Sequence, residues 1–241
     1  MMGQTGARQS AGRTGMSPAS TRRQLDSVLA GLVGGARLRQ TRLDMAGLEH
    51  ALTLWLIDPE GMDAPLSELE TDAVFESPPY WSFCWGSGLA LARHILANPT
   101  IVRDKTVVDF GAGSGVVGIA AALSGAESVI ACDIDADARK AVALNAALNG
   151  VSVVCVETLD ALVQRVDILF AADVLYDATN LGLLLPFRAV ANRVVIADSR
   201  MPNFQEPEFA RFAEIEAVTV PDLGEPENVG IVRFYTADGV D

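Results

Sequence analysis

From residue 105 onward the chain alternates short apolar runs with longer stretches in which apolar and polar positions recur at helical spacing. The apolar runs predict strands at 105–109, 128–132, 152–156, 167–172, 193–197, 214–220 and 229–236. The mixed stretches predict helices near 87–97, 114–124, 136–149, 178–190 and 204–212. Asp135 stands as an N-cap before the helix at 136, and Asn149-Gly150 is a stop signal at its far end. Strands apolar on both faces and separated by helices belong to a parallel sheet covered on both sides. Residues 221–228, between the last two strands, leave no room for a helix, so that pair is expected to form a hairpin and bring an antiparallel strand into the sheet. The expected fold class is α/β: a seven-stranded sheet, mostly parallel with an antiparallel C-terminal strand, with helices on both faces.

The N-terminal part is patterned less regularly. Leu25, Val28, Leu29 and Leu32 predict an amphipathic helix within Thr21–Arg39, and Leu52–Ile57 reads as a short strand or the end of a helix. Asp58–Pro79, with Pro59, Gly61, Pro65, Pro78 and Pro79, reads as loop-rich. Residues 1–20 are rich in Gly, Ser, Ala, Thr and Arg and are expected to be a disordered tail. The expected division is this tail, a helical and loop extension over 21–78, and one α/β domain over 79–241.

Composition narrows the function. The net charge is -13, and all 31 acidic residues follow residue 25, whereas Arg8, Arg13, Arg22 and Arg23 precede it. An acidic body repels phosphate backbones and attracts a lysine-bearing partner, so no nucleic-acid substrate is expected. No apolar run approaches the roughly 20 residues of a membrane span. Three cysteines, Cys84, Cys132 and Cys155, without C-x-x-C spacing, point to a reducing compartment. His50 and His94 lack metal-ligand spacing, and no serine sits on a strand-to-helix elbow. A cytoplasmic location is expected, or the mitochondrial matrix if the Arg-bearing start is a transit peptide; an over-long gene start fits the same residues.

Lys105–Ala120 carries the chemistry: a strand, the turn Gly111-Ala112-Gly113-Ser114-Gly115, and the opening of a helix. The next strand ends at Asp133, a carboxylate that can accept hydrogen bonds from both ribose hydroxyls. The pattern points to a nucleoside ligand. A dinucleotide site wants G-x-G-x-x-G, but Val116 stands three residues after Gly113, where its branched side chain would crowd a pyrophosphate. A cofactor without phosphate needs only a glycine floor under its amino-acid part, and S-adenosylmethionine is such a cofactor. NAD binding and a purely structural turn are the alternatives.

Pro78–Gly150 and Asp167–Asp177 resemble a class I, seven-stranded methyltransferase of Rossmann-like fold. More narrowly, Pro79-Tyr80-Trp81-Ser82-Phe83-Cys84-Trp85-Gly86-Ser87-Gly88, Cys132-Asp133-Ile134-Asp135, Asp173-Val174-Leu175-Tyr176-Asp177 and Ala197-Asp198-Ser199-Arg200 are similar to the lysine methyltransferases of the electron transfer flavoprotein β-subunit. Bacterial members of that group are often labelled nicotinamide N-methylases. The methyltransferases of a ribosomal large-subunit protein share the glycine region but carry an Asn-based motif where this chain has Ala171-Ala172-Asp173.

The resemblance implies S-adenosylmethionine as cofactor, with Gly111, Gly113 and Gly115 under its methionine moiety and Asp109 orienting the turn or meeting the amino group. It also implies Asp133 on the ribose, Asp160 near the adenine amine, and Trp85 closing the pocket. Trp81 and Trp55 read as core. Asp173 and Tyr176 would face the transferable methyl, Asp173 in contact with both cofactor and lysine ammonium and Tyr176 walling the channel. The alternative for this pair is a helix cap and packing. The implied activity is methylation of protein lysine, on electron transfer flavoprotein β-subunit or else a ribosomal stalk protein. A small-molecule N-methyltransferase with a nicotinamide-like substrate and an inactive cofactor-binding module are the other readings. The acidic loop around Glu225 and Glu227 lies where substrate could be selected, unless both are simply solvated.

Overall fold

In the computed structural model, residues 17–48, 51–60, 65–175, 178–226 and 230–240 are described, so most of the expected tail lies outside them. The first helix, α1 (Pro18–Leu32), is capped by Ser17, whose side chain accepts the Ser20 N–H, and Pro18 takes the position where no N–H is needed. It ends at Leu32, short of the predicted Arg39, because the Gly34-Gly35 pair follows and Gly35 adopts a left-handed φ of 80°. β1 (Leu38–Leu43) and β2 (Leu52–Ile57) then pair antiparallel, so the segment left open between strand and helix end is a strand. A short helix, α2 (Glu68–Glu76), interrupts the loop-rich stretch, and a single 3-10 turn at Tyr80–Ser82 leads into α3 (Gly86–Ala97).

The regular alternation follows: β3 (Thr106–Phe110), α4 (Val116–Leu123), β4 (Ser128–Cys132), α5 (Ala136–Leu148), β5 (Val154–Val156), β6 (Val166–Ala172), α6 (Leu184–Val190), β7 (Ala191–Asp198), β8 (Ala210–Glu216) and β9 (Ile231–Asp238). The strands form one sheet in the order β5-β4-β3-β6-β7-β9-β8, with β9 antiparallel to both β7 and β8. The order reverses between β3 and β6, which opens a crevice at the carboxyl ends of those strands. One sheet face packs Ile168, Phe170 and Val195 against Leu91, Ile95 and Ile119 of α3 and α4. The other packs Val108, Leu169 and Ile196 around Phe187 of α6.

Two elements depart from the pattern. No helix forms over 204–212; Pro207 supplies no N–H there, and Phe204 and Phe209 pack edge-on in a cluster with Tyr235. The strand expected at 214–220 is β8, which begins earlier because Ala210 and Arg211 already pair with Thr236 and Tyr235 of β9. In the segment predicted as one helix over 178–190, 3-10 turns at Ala178–Leu183 precede α6.

The N-terminal elements are built into the sheet domain. Leu25 and Leu29 of α1, Ile57 of β2 and Trp81 pack with Ala138, Ala141 and Leu144 of α5. Asn145 and Asn149 of α5 serve the edge of β2: Asn145 Oδ1 accepts the Trp55 N–H at 2.7 Å, and Asn149 pairs with both backbone groups of Thr53. Side chains one helical turn apart span about 6 Å, close to the spacing of alternate strand residues, so two amides on a helix can satisfy a strand edge.

Candidate active site

Asp109, one residue before the end of β3, is buried, and its Oδ2 accepts the Gly118 N–H at 2.8 Å. Burial pushes its carboxyl up to about 8, the charge of Asp133 adding to the rise and the Gly118 N–H opposing it. Asp109 therefore ties β3 to the first turn of α4. Gly118, which the motif reading did not single out, lets helix and strand approach, since a Cβ there would sit 3.2 Å from both Asp109 Oδ2 and Val129 Cγ1.

The three motif glycines all have positive φ, but they meet different surroundings. A Cβ on Gly111 would lie 2.7 Å from Val174 Cγ1, and one on Gly115 would press Val142 at 3.2 Å. Gly115 also caps α4 in the left-handed conformation. At Gly113 a Cβ would meet only the Gly111 carbonyl oxygen, 3.9 Å away. Gly113 is thus the glycine whose space is open to a ligand.

Asp133, at the end of β4, binds that same glycine: its Oδ2 accepts the Gly113 N–H at 2.8 Å and its Oδ1 the Asp135 N–H at 3.0 Å. Each oxygen keeps a lone pair for a further donor. Burial raises its pKa. Asp135 caps α5 through the Asp137 N–H, as its position before the helix predicts. Next to Asp133, Ile134 is 82% exposed, an apolar platform beside the carboxylate that sequence reasoning passed over. Asp160 is exposed on a 3-10 turn beyond β5, and among the described residues no hydrogen bond joins it to the rest of the site.

Asp173 follows β6 in a left-handed conformation, φ 50°, which Asp tolerates better than most residues. Its Oδ1 accepts the Ser87 hydroxyl at 2.6 Å and both the hydroxyl and the N–H of Ser199. Among the described residues its Oδ2 accepts only the Ser87 N–H, at 3.2 Å. Ser87 is the second residue of α3, so the carboxylate sits at that helix's N-terminus, where its charge is stabilised. Tyr176 and Asp177 lie outside the described residues.

Asp198, at the end of the neighbouring strand β7, stands in one of the motifs of the resemblance but was given no role there. It is buried, its Oδ1 holds the N–H groups of Arg200 and Met201, and burial together with the nearby Asp173 charge pushes it up to about 6. The signal available was positional: two carboxylates ending adjacent parallel strands.

Trp85 is half-buried and ties the mouth together. Its Nε1–H donates to the Tyr80 carbonyl at 2.9 Å, its ring meets Tyr80 and Phe83, and the Arg200 guanidinium lies 5.3 Å from the ring centre. Arg200 pairs with Glu225, whose other oxygen accepts the Thr219 hydroxyl at 2.6 Å; Thr219 in turn accepts the Gly86 N–H. Glu225 is therefore engaged rather than solvated, and Glu227 lies outside the described residues. Trp81 is core, while Trp55 is half-buried with Arg22 over its ring.

S-adenosylmethionine fits these residues. The space over Gly113 is open, Asp133 offers a lone pair on each oxygen beside it, and Ile134 provides an apolar surface adjoining the carboxylate. The fold and site define a class I S-adenosylmethionine-dependent methyltransferase.

A family model described as ribosomal protein L11 methyltransferase (PrmA) matches residues 94–180. The electron transfer flavoprotein beta subunit lysine methyltransferase of Rattus norvegicus is 36% identical over 171 residues, covering 67% of this chain and 67% of its own. The ribosomal protein L11 methyltransferase of Acinetobacter baumannii (strain AYE) is 56% identical, but over only 52 residues, 22% of this chain and 17% of its own. Among solved structures, SMU.776 in complex with SAH shares the fold with a TM-score of 0.51 at 10% identity, over 82% of this chain and 56% of that one. The chain belongs to the electron transfer flavoprotein β-subunit lysine methyltransferase family.

Proposed function

We infer that this protein is a protein-lysine N-methyltransferase and that its substrate is the electron transfer flavoprotein β-subunit. The observation that carries the reading is Asp173: a carboxylate held by two serines at the end of β6, one residue before the Val174 that packs against Gly111. The family to which the chain belongs supports the choice of lysine and of this partner.

Bound S-adenosylmethionine supplies an electrophilic methyl on a sulfonium. Displacement there is in-line, so the protein's part is alignment, exclusion of water and delivery of a neutral amine. Gly113 and Asp133 hold the cofactor, the latter through the ribose. Asp173 Oδ2, with one hydrogen bond among the described residues where Oδ1 has three, receives the lysine ammonium. Asp173 would hold the lysine nitrogen toward the methyl that S-adenosylmethionine would supply, the ammonium proton passing to solvent at the mouth so that the nitrogen lone pair is free. Trp85 closes the mouth beside Asp173, its orientation set by the Tyr80 carbonyl and by Arg200.

The test is incubation of purified protein with tritiated S-adenosylmethionine, electron transfer flavoprotein and, separately, a lysate of its own organism. A labelled β-subunit band, mapped to lysine by mass spectrometry and lost in Asp173→Ala, is the expected result. Label confined to the small-molecule filtrate would overturn the reading in favour of a metabolite enzyme.

A further inference from the structure

We propose that α2 is the docking surface for the protein substrate, and that the partner presents an apolar patch ringed by lysine and arginine beside the lysine to be methylated. The proposal rests on the lysine-methyltransferase reading above and names the surface that selects the substrate.

α2 is nine residues long, and none of them is buried. Isolated helices shorter than about 12–15 residues are marginal in water, and in proteins packing of an apolar face normally holds them. Here the hydrogen-bonded hold lies at one end, and only Ala73 and Val74 add partial apolar burial. Ser67 and Glu70 form a capping box, and the other Glu70 oxygen accepts the Gly34 N–H beyond α1 at 2.9 Å. Those three donors pull Glu70 down to about 2, so this anchor is an anion at any ordinary pH.

Only Glu70, Ala73 and Val74, one face of the helix, turn partly inward. Glu68, Leu69, Asp72, Phe75 and Glu76 face outward, and just before the helix Leu66 is exposed too. Leu69 is 82% and Phe75 88% exposed, two large apolar side chains left in water on one short element. An aromatic and a leucine among acids match the composition of a protein-binding patch, and the three outward acids with no Lys or Arg in the helix select a basic partner.

Location ties the patch to the site. Tyr80 stands five positions after Phe75, a reach of at most about 18 Å. Tyr80 is half exposed, meets the Trp85 ring edge-on and gives its carbonyl to Trp85 Nε1. Trp85 caps α3, whose Ser87 holds Asp173. A protein seated on α2 therefore continues onto Tyr80 and brings its lysine to the mouth.

Two variants test this: Leu69→Ser/Phe75→Ser, and Glu68→Lys/Asp72→Lys/Glu76→Lys. None of the five residues is buried, and unchanged melting with unchanged cofactor affinity verifies that each variant is intact. The acceptor is purified electron transfer flavoprotein or, if it takes no label, the lysate protein that does. Each variant is expected to raise KM about tenfold or more with kcat preserved, the scale of losing one buried aromatic contact. An unchanged KM, or a loss confined to kcat, overturns the docking site alone. So does a wild-type dimer that the Leu69/Phe75 variant converts to monomer, since the patch would then be covered by a second copy. If wild type labels no protein lysine, the lysine-methyltransferase reading itself fails and this proposal falls with it.

Discussion

Asp173 shows how one residue reconciles two demands. As an anion at the N-terminus of α3 it is stabilised by Ser87, and as a turn residue in the left-handed region it redirects the chain after β6. Asp173→Asn keeps the size but lacks the charge and puts a donor where Ser87 or Ser199 donates, so methyl transfer should fall by about 10²-fold, a typical general-catalysis loss, with cofactor affinity roughly intact. Single-turnover kinetics beside calorimetry separates the two. Asp109 is a different case: its folded pKa of about 8 lies above the unfolded value of roughly 3.9. Its contribution is fully present below pH 4 and is lost as pH rises toward 8, because over that window the unfolded chain releases the proton first. Asp109→Asn should flatten this fall, raising the melting temperature relative to wild type at pH 9 more than at pH 5. Parallel melting curves of the two proteins would contradict the assignment.

At the scale of elements, α5 couples the N-terminal hairpin to the cofactor turn. Asn145 is fully buried, and while its Oδ1 serves Trp55 its Nδ2 donates to the Ser114 carbonyl at 2.9 Å, inside the glycine motif. Asn145→Ala leaves the buried Ser114 carbonyl unpaired, a cost of about 1–3 kcal/mol, and frees the half-buried Trp55 N–H. Lower stability by chemical denaturation, with weaker S-adenosylmethionine binding, is expected; an unchanged cofactor Kd would confine the residue to holding β2. α1 is held by packing: Leu25, fully buried against α5, should cost about 2–5 kcal/mol when replaced by Ala, measured in the same denaturation experiment. The strands from 105 to 198 and the helices α4 and α5 were legible in the sequence because short apolar runs alternate with stretches of helical spacing, whereas the helix read over 178–190 begins only at Leu184. The start of β8 at Ala210 was not, since its inner and outer positions are set by pairing with β9 rather than by its own polarity: Phe212 is exposed and Ala213 only half-buried.

Across the whole molecule, a net charge of -13 acts at long range, and the basic partner proposed above would be drawn toward the acidic body before any contact forms. Raising the ionic strength until the Debye length falls below about 10 Å should raise KM for a protein acceptor while leaving cofactor Kd nearly constant. Equal insensitivity of both would remove electrostatic steering from the account. The same scale decides what was readable beforehand. Asp133 and the glycine turn are local signals, fixed by strand, turn and helix following one another within 23 residues, from 111 to 133, and the sequence by itself determined them together with the seven-stranded α/β frame. The meeting of Ser87, Asp173 and Ser199, the burial of Asp198 beside them, and the Trp85–Arg200–Glu225–Thr219 contacts join segments up to 140 residues apart, from 85 to 225. Only the tertiary structure decided those, because strand order brings the carboxyl ends of β6 and β7 against the start of α3, and no periodicity along a chain encodes which distant ends become neighbours.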